Sequence, residues 1–163
     1  MGNTIGVVRA VIQRCDGAAV VVAGEQVGGF EGPGLTVLVG VNRTDTIAES
    51  RRLAAKVWGL RIFEAAEFST SHCLEPGGPR ELSASDLGLP VLVISQFTLY
   101  GRTDKGRRPT WEDAAAGADA EPLVAAVASS LAGLGATVTT GRFGADMRVT
   151  LTNDGPITLI VDV

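Results

Sequence analysis

The sequence predicts a mixed α/β fold, a single domain of two β layers packed with helices on one side (a three-layer β/β/α arrangement). Short apolar segments with alternating or continuous hydrophobicity recur along the chain, which is typical of strands. Glycine accounts for 21 of 163 residues, which indicates many tight turns. Only two stretches have the character of helices. Because a chain of this length forms one core, we treat residues 1–163 as a single domain.

The first half of the chain contains most of the predicted strands. They are Ile5–Arg14, Ala18–Ala23, Gln26–Phe30, Leu35–Val41 and Leu60–Glu64. The second and third form a hairpin that turns at Gly24-Glu25 and is ended by Gly32-Pro33-Gly34. The nearly continuous apolar run Leu35–Val41 predicts a central strand covered on both faces.

The first helix begins after Thr46. Thr46 and Glu49 have the spacing of a capping box, in which the two side chains satisfy each other's backbone N–H groups. The apolar stripe of this helix consists of Ile47, Leu53, Val57 and Leu60. On the same helix, Trp58 is interpreted as a packing residue.

The second half begins with an irregular loop, Ala65–Leu89, followed by the strand Val91–Tyr100. A second helix is expected from about Glu121, with Pro122 in its first turn, to the glycines at 133–135. The last three predicted strands are Ala136–Gly141, Met147–Asn153 and Ile157–Val163, and Asp154-Gly155-Pro156 joins the last two.

Composition excludes several kinds of site. His72 is the only histidine, so a catalytic triad, a Cys–His pair or a histidine metal site would each depend on it. It lies in the irregular loop without a partner at a meaningful spacing, and we expect a surface residue. Cys15 and Cys73 form no C-x-x-C pair, so we expect no metal and no cofactor. The chain shows neither a signal peptide nor a membrane span, which predicts a cytoplasmic protein.

The segment Gly101–Thr110 concentrates positive charge. It contains Arg102, Lys105, Arg107 and Arg108 with one acidic residue, a net +3 in a chain of net −4. Its glycine spacing matches a phosphate-binding P-loop, but arginines replace the required Lys and Ser/Thr, which argues against nucleoside triphosphates. Two interpretations stay open, a phosphate-backbone contact or a solvated turn. Trp111, which follows, is interpreted first as a core residue and second as a stacking surface for a base.

Two polar segments are candidates for chemistry. Ser95, Gln96 and Thr98 interrupt an otherwise apolar strand around Phe97, so either the sheet or a ligand must satisfy them. Strand alternation places Gln96 and Thr98 on one face. The Gly155-Pro156 pair is either a simple turn or a rigid corner of exposed carbonyl groups.

Several segments together resemble the D-aminoacyl-tRNA deacylase family. The segments that carry the resemblance are Val8–Arg14, Leu60–Glu64, Ser95–Tyr100, Lys105–Pro109, Gly141–Met147 and Asn153–Thr158. They cover nearly the whole chain in the expected order. The chain departs from the family in the residues that precede Val8 and in the longer stretch Ala65–Leu89.

This resemblance implies a homodimeric hydrolase that cuts the ester between a D-amino acid and the 3′ end of tRNA. It further implies an active site at the subunit interface, where one subunit's Ser-Gln-x-Thr segment meets a Gly-Pro corner of the other. The site residues implied are catalytic Ser95, Gln96, Phe97 and Thr98, substrate-binding Gly155, Pro156, Arg14, Phe143 and Met147, and tRNA-binding Arg102, Lys105, Arg107 and Arg108. By the same resemblance, we expect Arg14 to brace the corner and Phe143 and Met147 to line the site.

The chemistry of an activated ester suits such a site. Backbone N–H groups near Phe97 and Thr98 can stabilise the oxyanion, with help from the 2′-hydroxyl of the terminal ribose. The second mechanism makes Thr98 the nucleophile, although no base in the sequence obviously activates it. Chirality is read by excluding L side chains, which also admits glycine mischarged on tRNA. The alternatives to an enzyme are a non-catalytic dimer that binds the tRNA acceptor end and a purely structural dimer; neither DNA nor a membrane is expected as partner.

Overall fold

Three long strands form the framework of the fold. They are β1 (Arg9–Val22), β2 (Glu25–Gly40) and β7 (Arg148–Asp162), and β1 pairs antiparallel with both of the others. The computed structural model describes residues 7–68, 72 and 77–163. Cys73, for which we expect an ordinary thiol, lies outside the described residues.

Two short strands complete the main sheet. β5 (Val91–Ser95) pairs parallel with β2, and β6 (Val138–Thr140) pairs parallel with β5, which gives the order β6-β5-β2-β1-β7. The Leu35–Val39 segment of β2 therefore has β1 on one side and β5 on the other. The prediction of a central strand at Leu35–Val41 is confirmed.

The far halves of the long strands form a second layer. The β1–β2 register shifts between Asp16 and Ala18, and beyond this point β2 approaches β6, where the Thr139 hydroxyl donates to the Gly29 carbonyl at 3.2 Å. Apolar side chains fill the space between the layers. The buried members of this cluster are Ala18, Val20, Leu92 and Ile94. The mixed α/β class with two β layers is thus confirmed.

Two long helices cover the other face of the main sheet. They are α1 (Ile47–Gly59) and α4 (Gly117–Gly133). Their buried side chains meet those of the sheet in the larger apolar core, whose members include Ile12, Val37, Leu53, Val57, Trp58, Leu123, Val127 and Leu131. The predicted capping box of α1 is present, with Thr46 and Glu49 bonding each other's backbone N–H groups. Because Trp58 is buried on α1, its interpretation as a packing residue is confirmed.

The hairpin and the last strand differ from the prediction. The turn is Ala23-Gly24 rather than Gly24-Glu25, with φ of 50° and 84°. Positive φ at both positions is typical of the type I′ turn, whose backbone twist matches that of the strands, so Ala23 is held in an unusual conformation. β2 also continues through Gly32-Pro33-Gly34, and β7 continues through Asp154-Gly155-Pro156.

The stretch Ala65–Leu89 is not a featureless loop. It contains the single-turn helices α2 (Ala65–Phe68) and α3 (Ala84–Leu87) and the strand β4 (Glu81–Ser83), which pairs antiparallel with β3 (Arg61–Glu64). These elements have three or four residues each, too few to produce a periodic pattern.

The second long helix begins earlier than expected. α4 starts at Gly117, four residues before the predicted start at Glu121, so Pro122 lies inside the helix rather than near its first residue. The small residues at 117–120 show no amphipathic stripe that would have marked the first turn.

Candidate active site

The polar segment after β5 is a 3₁₀ helix and not the continuation of a strand. β5 ends at Ser95, and Phe97–Tyr100 form the helix. The Gln96 N–H still donates to the Val39 carbonyl at 2.7 Å, but β2 ends at Gly40, so the sheet offers no further partner on that side. The predicted strand Val91–Tyr100 is therefore wrong beyond Ser95. The helical turn leaves Phe97 and Thr98 exposed and buries Tyr100.

Gly40 supports this 3₁₀ helix from below. A methyl group at Gly40 would lie 3.0 Å from Leu99 Cβ, 3.1 Å from the Gln96 carbonyl oxygen and 3.3 Å from Tyr100 Cδ2. These distances are shorter than ordinary contacts, so the helix can lie this close to β2 only because residue 40 has no side chain. No local pattern marks Gly40, because the contact joins residues more than 50 positions apart.

The first turn of the 3₁₀ helix presents polar groups to solvent. The Gln96 side-chain amide donates to the Thr98 hydroxyl. The backbone N–H groups of Phe97 and Thr98 make no backbone hydrogen bond within the described part of the chain, as expected for the first residues of a helix. Two neighbouring donors are therefore available to an outside acceptor.

A mostly apolar cavity of about 290 Å³ adjoins this turn. Ser95, Gln96 and Phe97 form one side of it, and Phe143 and Gly144 contribute another. Its other lining residues are Val39, Val41, Ala115, Gly117, Ala120 and Val124. The structure thus brings Phe143 to the same cavity as three of the four predicted catalytic positions. Its volume suits a nucleoside-sized or aminoacyl-sized group.

Met147 lies elsewhere. It packs against the cluster between the two β layers, and its sulfur would be 2.5 Å from a methyl group at Gly141. It does not line the 290 Å³ cavity of its own chain.

The Gly155-Pro156 segment protrudes from the sheet. Gln13 pairs with Thr158 and Cys15 with Asn153, so Arg14 alone stands opposite residues 154–157. Gly155 is exposed and does not line the cavity of its own chain; nothing is described of the Pro156 side chain. Within one chain, the predicted corner and the predicted catalytic segment therefore contribute to different surfaces.

Arg14 holds the protruding segment in place. Its side chain is buried, and Nε contacts both the Asp154 carbonyl and the Asp154 carboxylate at 3.1 Å. Its Nη1 donates to the Ile62 carbonyl at 2.7 Å, which ties the segment to β3. The Ile62 carbonyl is a partner that sequence reasoning missed, since a backbone acceptor leaves no trace in residue types.

The basic segment forms a closed loop. Arg102 and Thr110 exchange backbone hydrogen bonds of 2.9 and 3.1 Å, so residues 103–109 project from a two-residue base. Arg102 contacts both Asp113 carboxylate oxygens at 2.6 and 2.8 Å, and this hydrogen bonding raises its pKa. Lys105, Arg107 and Arg108 are exposed and form no ion pair with another described residue.

Trp111 is 41% exposed, so its interpretation as a core residue is wrong. Its ring meets that of Phe97 edge to face, with centroids 5.4 Å apart and an interplanar angle of 74°. The pair lies between the cavity, which Phe97 lines, and the base of the loop at Thr110.

A half-buried carboxyl group, that of Asp45, lies near Tyr100 of the 3₁₀ helix. Asp45 accepts from the Asn42 N–H at 2.6 Å through one oxygen, whereas the other oxygen is buried without a partner among the described residues. Burial is the main cause that raises the Asp45 pKa to about 6, and Glu49 adds to it. The Tyr100 hydroxyl is likewise buried without a described partner, and burial together with the Asp45 charge raises its pKa.

His72 is half-buried rather than a plain surface residue. Its Nε2 lies 3.2 Å from the Leu87 carbonyl oxygen, and its ring packs edge to face on Phe68. No group of three or more His, Cys, Asp or Glu side chains is gathered at one place in the described ranges. None of the helices described there is long and apolar enough to cross a membrane.

Known proteins resemble this chain over nearly its full length. The family model described as D-Tyr-tRNA(Tyr) deacylase matches residues 11–162. A D-aminoacyl-tRNA deacylase of Streptomyces coelicolor is 56% identical, over 95% of this chain and 99% of the relative. Another from Cutibacterium acnes is 53% identical, over 94% and 96% respectively.

Solved structures share the architecture. The c-Myc DNA unwinding element binding protein superposes with a TM-score of 0.80 at 33% identity, covering 94% of this chain and 97% of that one. A probable eukaryotic D-amino acid tRNA deacylase superposes with a TM-score of 0.79 at 17% identity, covering 96% and 100%, which shows the shared fold alone.

Proposed function

The chain belongs to the D-aminoacyl-tRNA deacylase family and is therefore a hydrolase, and from this premise we propose how its residues cut the ester between a D-amino acid and tRNA. The observation that carries the proposal is the pair of free N–H groups of Phe97 and Thr98 beside the apolar cavity. Donors fixed in this way stabilise the negative charge that develops on the ester carbonyl oxygen.

Water attacks the ester carbon, and the ribose 3′-oxygen leaves with a proton. The chain offers no imidazole at this cavity, because its only histidine contacts Leu87 and Phe68. The group that moves the proton is the 2′-hydroxyl of the same ribose, which is adjacent to the leaving oxygen. Catalysis then rests on orientation, oxyanion stabilisation and a group of the substrate.

Thr98 is a donor and a positioning group in this mechanism rather than the nucleophile. Its hydroxyl contacts the Gln96 amide, and an amide is no base in either orientation of its oxygen and nitrogen. A threonine without a base is a poor nucleophile. The contact instead fixes the Gln96 and Thr98 side chains relative to the two N–H donors.

The working protein is a homodimer in which Gly155 and Pro156 of one subunit complete the cavity of the other. β7 is an edge strand of the main sheet, it is 15 residues long, and Ile160 on it is 72% exposed. A long edge with exposed apolar side chains favours pairing with a second copy. Arg14 supports the protruding segment from behind, so the corner can meet the partner subunit as a rigid element.

Rejection of L-amino acids follows from that corner. Carbonyl groups of Gly155 and Pro156 hold the α-amino group, a D side chain points to solvent, and an L side chain collides with the backbone. Glycine, which has no side chain to reject, is also a substrate. Met147 does not line the cavity of its own chain. In the proposed dimer it therefore contributes to the site across the subunit interface.

The basic loop binds phosphates near the acceptor end of tRNA. Lys105, Arg107 and Arg108 are the contacting cations because each is exposed and free of described acidic partners. Arg102 closes the base of the loop through Asp113 and contributes less. A tRNA substrate places this enzyme in the cytoplasm.

The test is deacylation of D-Tyr-tRNA and L-Tyr-tRNA of matched sequence. We expect rapid release of D-tyrosine while L-Tyr-tRNA survives. Equal hydrolysis of both substrates would remove the chirality mechanism. Salt-sensitive tRNA binding without turnover would instead identify a non-catalytic dimer that binds the acceptor end, and neither binding nor turnover would leave a structural dimer.

A further inference from the structure

An exposed aromatic pair stands outside the cavity. Phe97 and Trp111 are 54% and 41% exposed, and their edge-to-face contact at 5.4 Å keeps both rings at the surface. Large aromatic side chains in this situation lose favourable burial unless something covers them. Only Phe97 belongs to the cavity, so Trp111 is not used by the mechanism above.

The Trp111 ring is held by the backbone that follows the 3₁₀ helix. A methyl group at Gly101 would lie 2.6 Å from Trp111 Cζ3, so the ring rests on a residue without a side chain. Gly101 itself is fixed by donation from its N–H to the Thr98 carbonyl at 2.9 Å. Trp111 therefore has a defined position relative to Thr98 and the rim of the cavity.

Unpaired positive charge lies in the loop 103–109, which ends two residues before Trp111. The bridge between Arg102 and Thr110 closes the loop 103–109, which carries Lys105, Arg107 and Arg108 against Asp104. The acidic residues that follow Trp111 are engaged by Arg102, with Asp113 at 2.6 Å and Glu112 at 3.6 Å. The face of the loop thus keeps a net positive charge beside an aromatic surface.

We propose that Trp111 stacks on the base that precedes the terminal adenosine of the tRNA, while Lys105, Arg107 and Arg108 bind the phosphates of these unpaired nucleotides. Aromatic rings combined with free cations are the recurring chemistry of single-strand binding. Along the surface, the cavity is followed by Phe97, then by Trp111 and then by the cationic loop. This order sets the direction of the bound RNA, with the ester in the cavity and the acceptor stem toward the loop. This inference rests on the proposed function and extends its site by one nucleotide.

The kinetic test compares two substrates that differ only in these nucleotides. D-Tyr-tRNA contains them, whereas adenosine esterified with D-tyrosine at its 3′-hydroxyl does not. We expect Trp111→Ala to lower kcat/KM for D-Tyr-tRNA by about 5- to 100-fold, mainly through KM, since one stacked base contributes an effect of this size. Hydrolysis of the adenosine ester should be unchanged, and Trp111→Phe should retain most of the activity on tRNA.

A binding test needs no turnover. The chain has two tryptophans, and Trp58 is buried on α1, so quenching by an added ligand reports on Trp111. We expect a short RNA that ends in CCA to quench the emission of the wild-type dimer. The quenching should be absent in Trp111→Phe. In the wild type, which has Lys105, Arg107 and Arg108, the quenching should weaken as the salt concentration rises.

Each other outcome contradicts the inference in a recognisable way. Equal losses on tRNA and on the adenosine ester would assign Trp111 a structural role. Full activity of Trp111→Ala together with unchanged RNA binding would remove the stacking contact. Dissociation of Trp111→Ala into monomers during sedimentation would show that a second copy covers this surface. If the wild type cleaves neither substrate, the proposed function fails, and the quenching assay still decides whether Trp111 binds RNA.

Discussion

The buried Arg14 side chain positions a segment that does not line the cavity of the same chain. The guanidinium contacts Asp154 in the protruding part of β7 and the Ile62 carbonyl in β3. A planar cation with several fixed donors can serve both directions at once, which a lysine cannot. A residue of β1 therefore ties Asp154, which precedes the Gly155-Pro156 corner, to β3.

Replacing Arg14 tests this role. We expect Arg14→Ala to lower the free energy of unfolding by about 1–3 kcal/mol, because the part-buried Ile62 and Asp154 carbonyls lose their donor. Deacylation should fall at least 10-fold. The matched control is Arg9→Ala, which removes another Arg–Asp pair between β1 and β7, but an exposed one whose loss costs less than about 1 kcal/mol. Urea unfolding of both variants gives the comparison, and equal losses would show that Arg14 has no special position.

The Asp45 carboxyl group makes stability depend on pH. Its pKa of about 6 in the folded protein exceeds the ordinary value near 4 of an unfolded chain. The folded state therefore binds more protons between these values, and this group makes the protein less stable as the pH rises from about 4 through 6. Above pH 6 its cost is fully present.

Asp45→Asn removes the charge and retains an oxygen that can accept from Asn42. We expect a higher melting temperature than the wild type at pH 7, a gain on the order of 1 kcal/mol, which shrinks toward zero near pH 4. Asp146→Asn, which removes an exposed carboxylate, is the control variant. Calorimetry across pH 4–8 measures both, and a gain that persists at pH 4 would contradict the assignment.

Residue identity predicted some of these contacts and not others. Thr46 and Glu49 reveal a capping box because the interaction joins neighbours in sequence. The family resemblance marked Arg14, but its partner Ile62 and the burial of Asp45 depend on contacts between distant segments. The interpretation of Trp111 as a core residue is wrong because the exposure of its ring depends on how distant segments pack around it, which residue type does not encode.

The 3₁₀ helix places the polar groups of the candidate site at the end of the apolar strand β5. It forms because β5 loses its partner where β2 ends at Gly40, and the backbone then turns and exposes its first N–H groups. Hydrophobicity continues through Leu99 and Tyr100, so the sequence alone favours a longer strand. The elements of three or four residues in Ala65–Leu89 escaped prediction for a related reason, since tertiary pairing rather than local pattern defines them.

Gly40 provides a test of this element. Gly40→Ala places a methyl group 3.0 Å from Leu99 Cβ and 3.1 Å from the Gln96 carbonyl, so we expect displacement of the 3₁₀ helix and a loss of about 1–3 kcal/mol of stability. Activity should fall by more than the loss of folded protein explains. Gly59→Ala, which meets no atom within 4 Å, is the control and should retain full activity. A fully active Gly40→Ala variant would mean that the position of the 3₁₀ helix relative to β2 does not affect activity.

For the whole molecule, the proposed dimer decides whether the site is complete. Each chain carries the cavity and the Gly155-Pro156 corner on different surfaces, and β7 with Ile160 provides an unpaired apolar edge in the described sheet. The mixed α/β class, the two β layers and the strand content followed from patterning, whereas the bend within β1 and β2 that forms the second layer did not. That bend depends on register shifts and on close glycine contacts between strands, which hydrophobic periodicity does not predict.

Ile160→Lys tests the dimer directly. A charge at this edge should convert the protein to a monomer in sedimentation and remove activity with little loss of folding, because the side chain is 72% exposed in one chain. Leu134→Lys, at a residue 50% exposed after α4, should remain dimeric and active. An active monomer would show that one chain contains the complete site.

In the proposed mechanism, backbone N–H groups and the 2′-hydroxyl of the substrate perform the hydrolysis. Single-turnover deacylation of D-Tyr-tRNA with either a normal or a 2′-deoxy terminal adenosine, each with the wild type and with Thr98→Ala, separates this mechanism from attack by Thr98. We predict that loss of the 2′-hydroxyl slows the wild type by about 100-fold or more, in the range of a lost acid–base group. Thr98→Ala should stay within about 10-fold of the wild type on the normal substrate. Inactivity of Thr98→Ala together with undiminished cleavage of the 2′-deoxy substrate would contradict the account and make Thr98 the nucleophile.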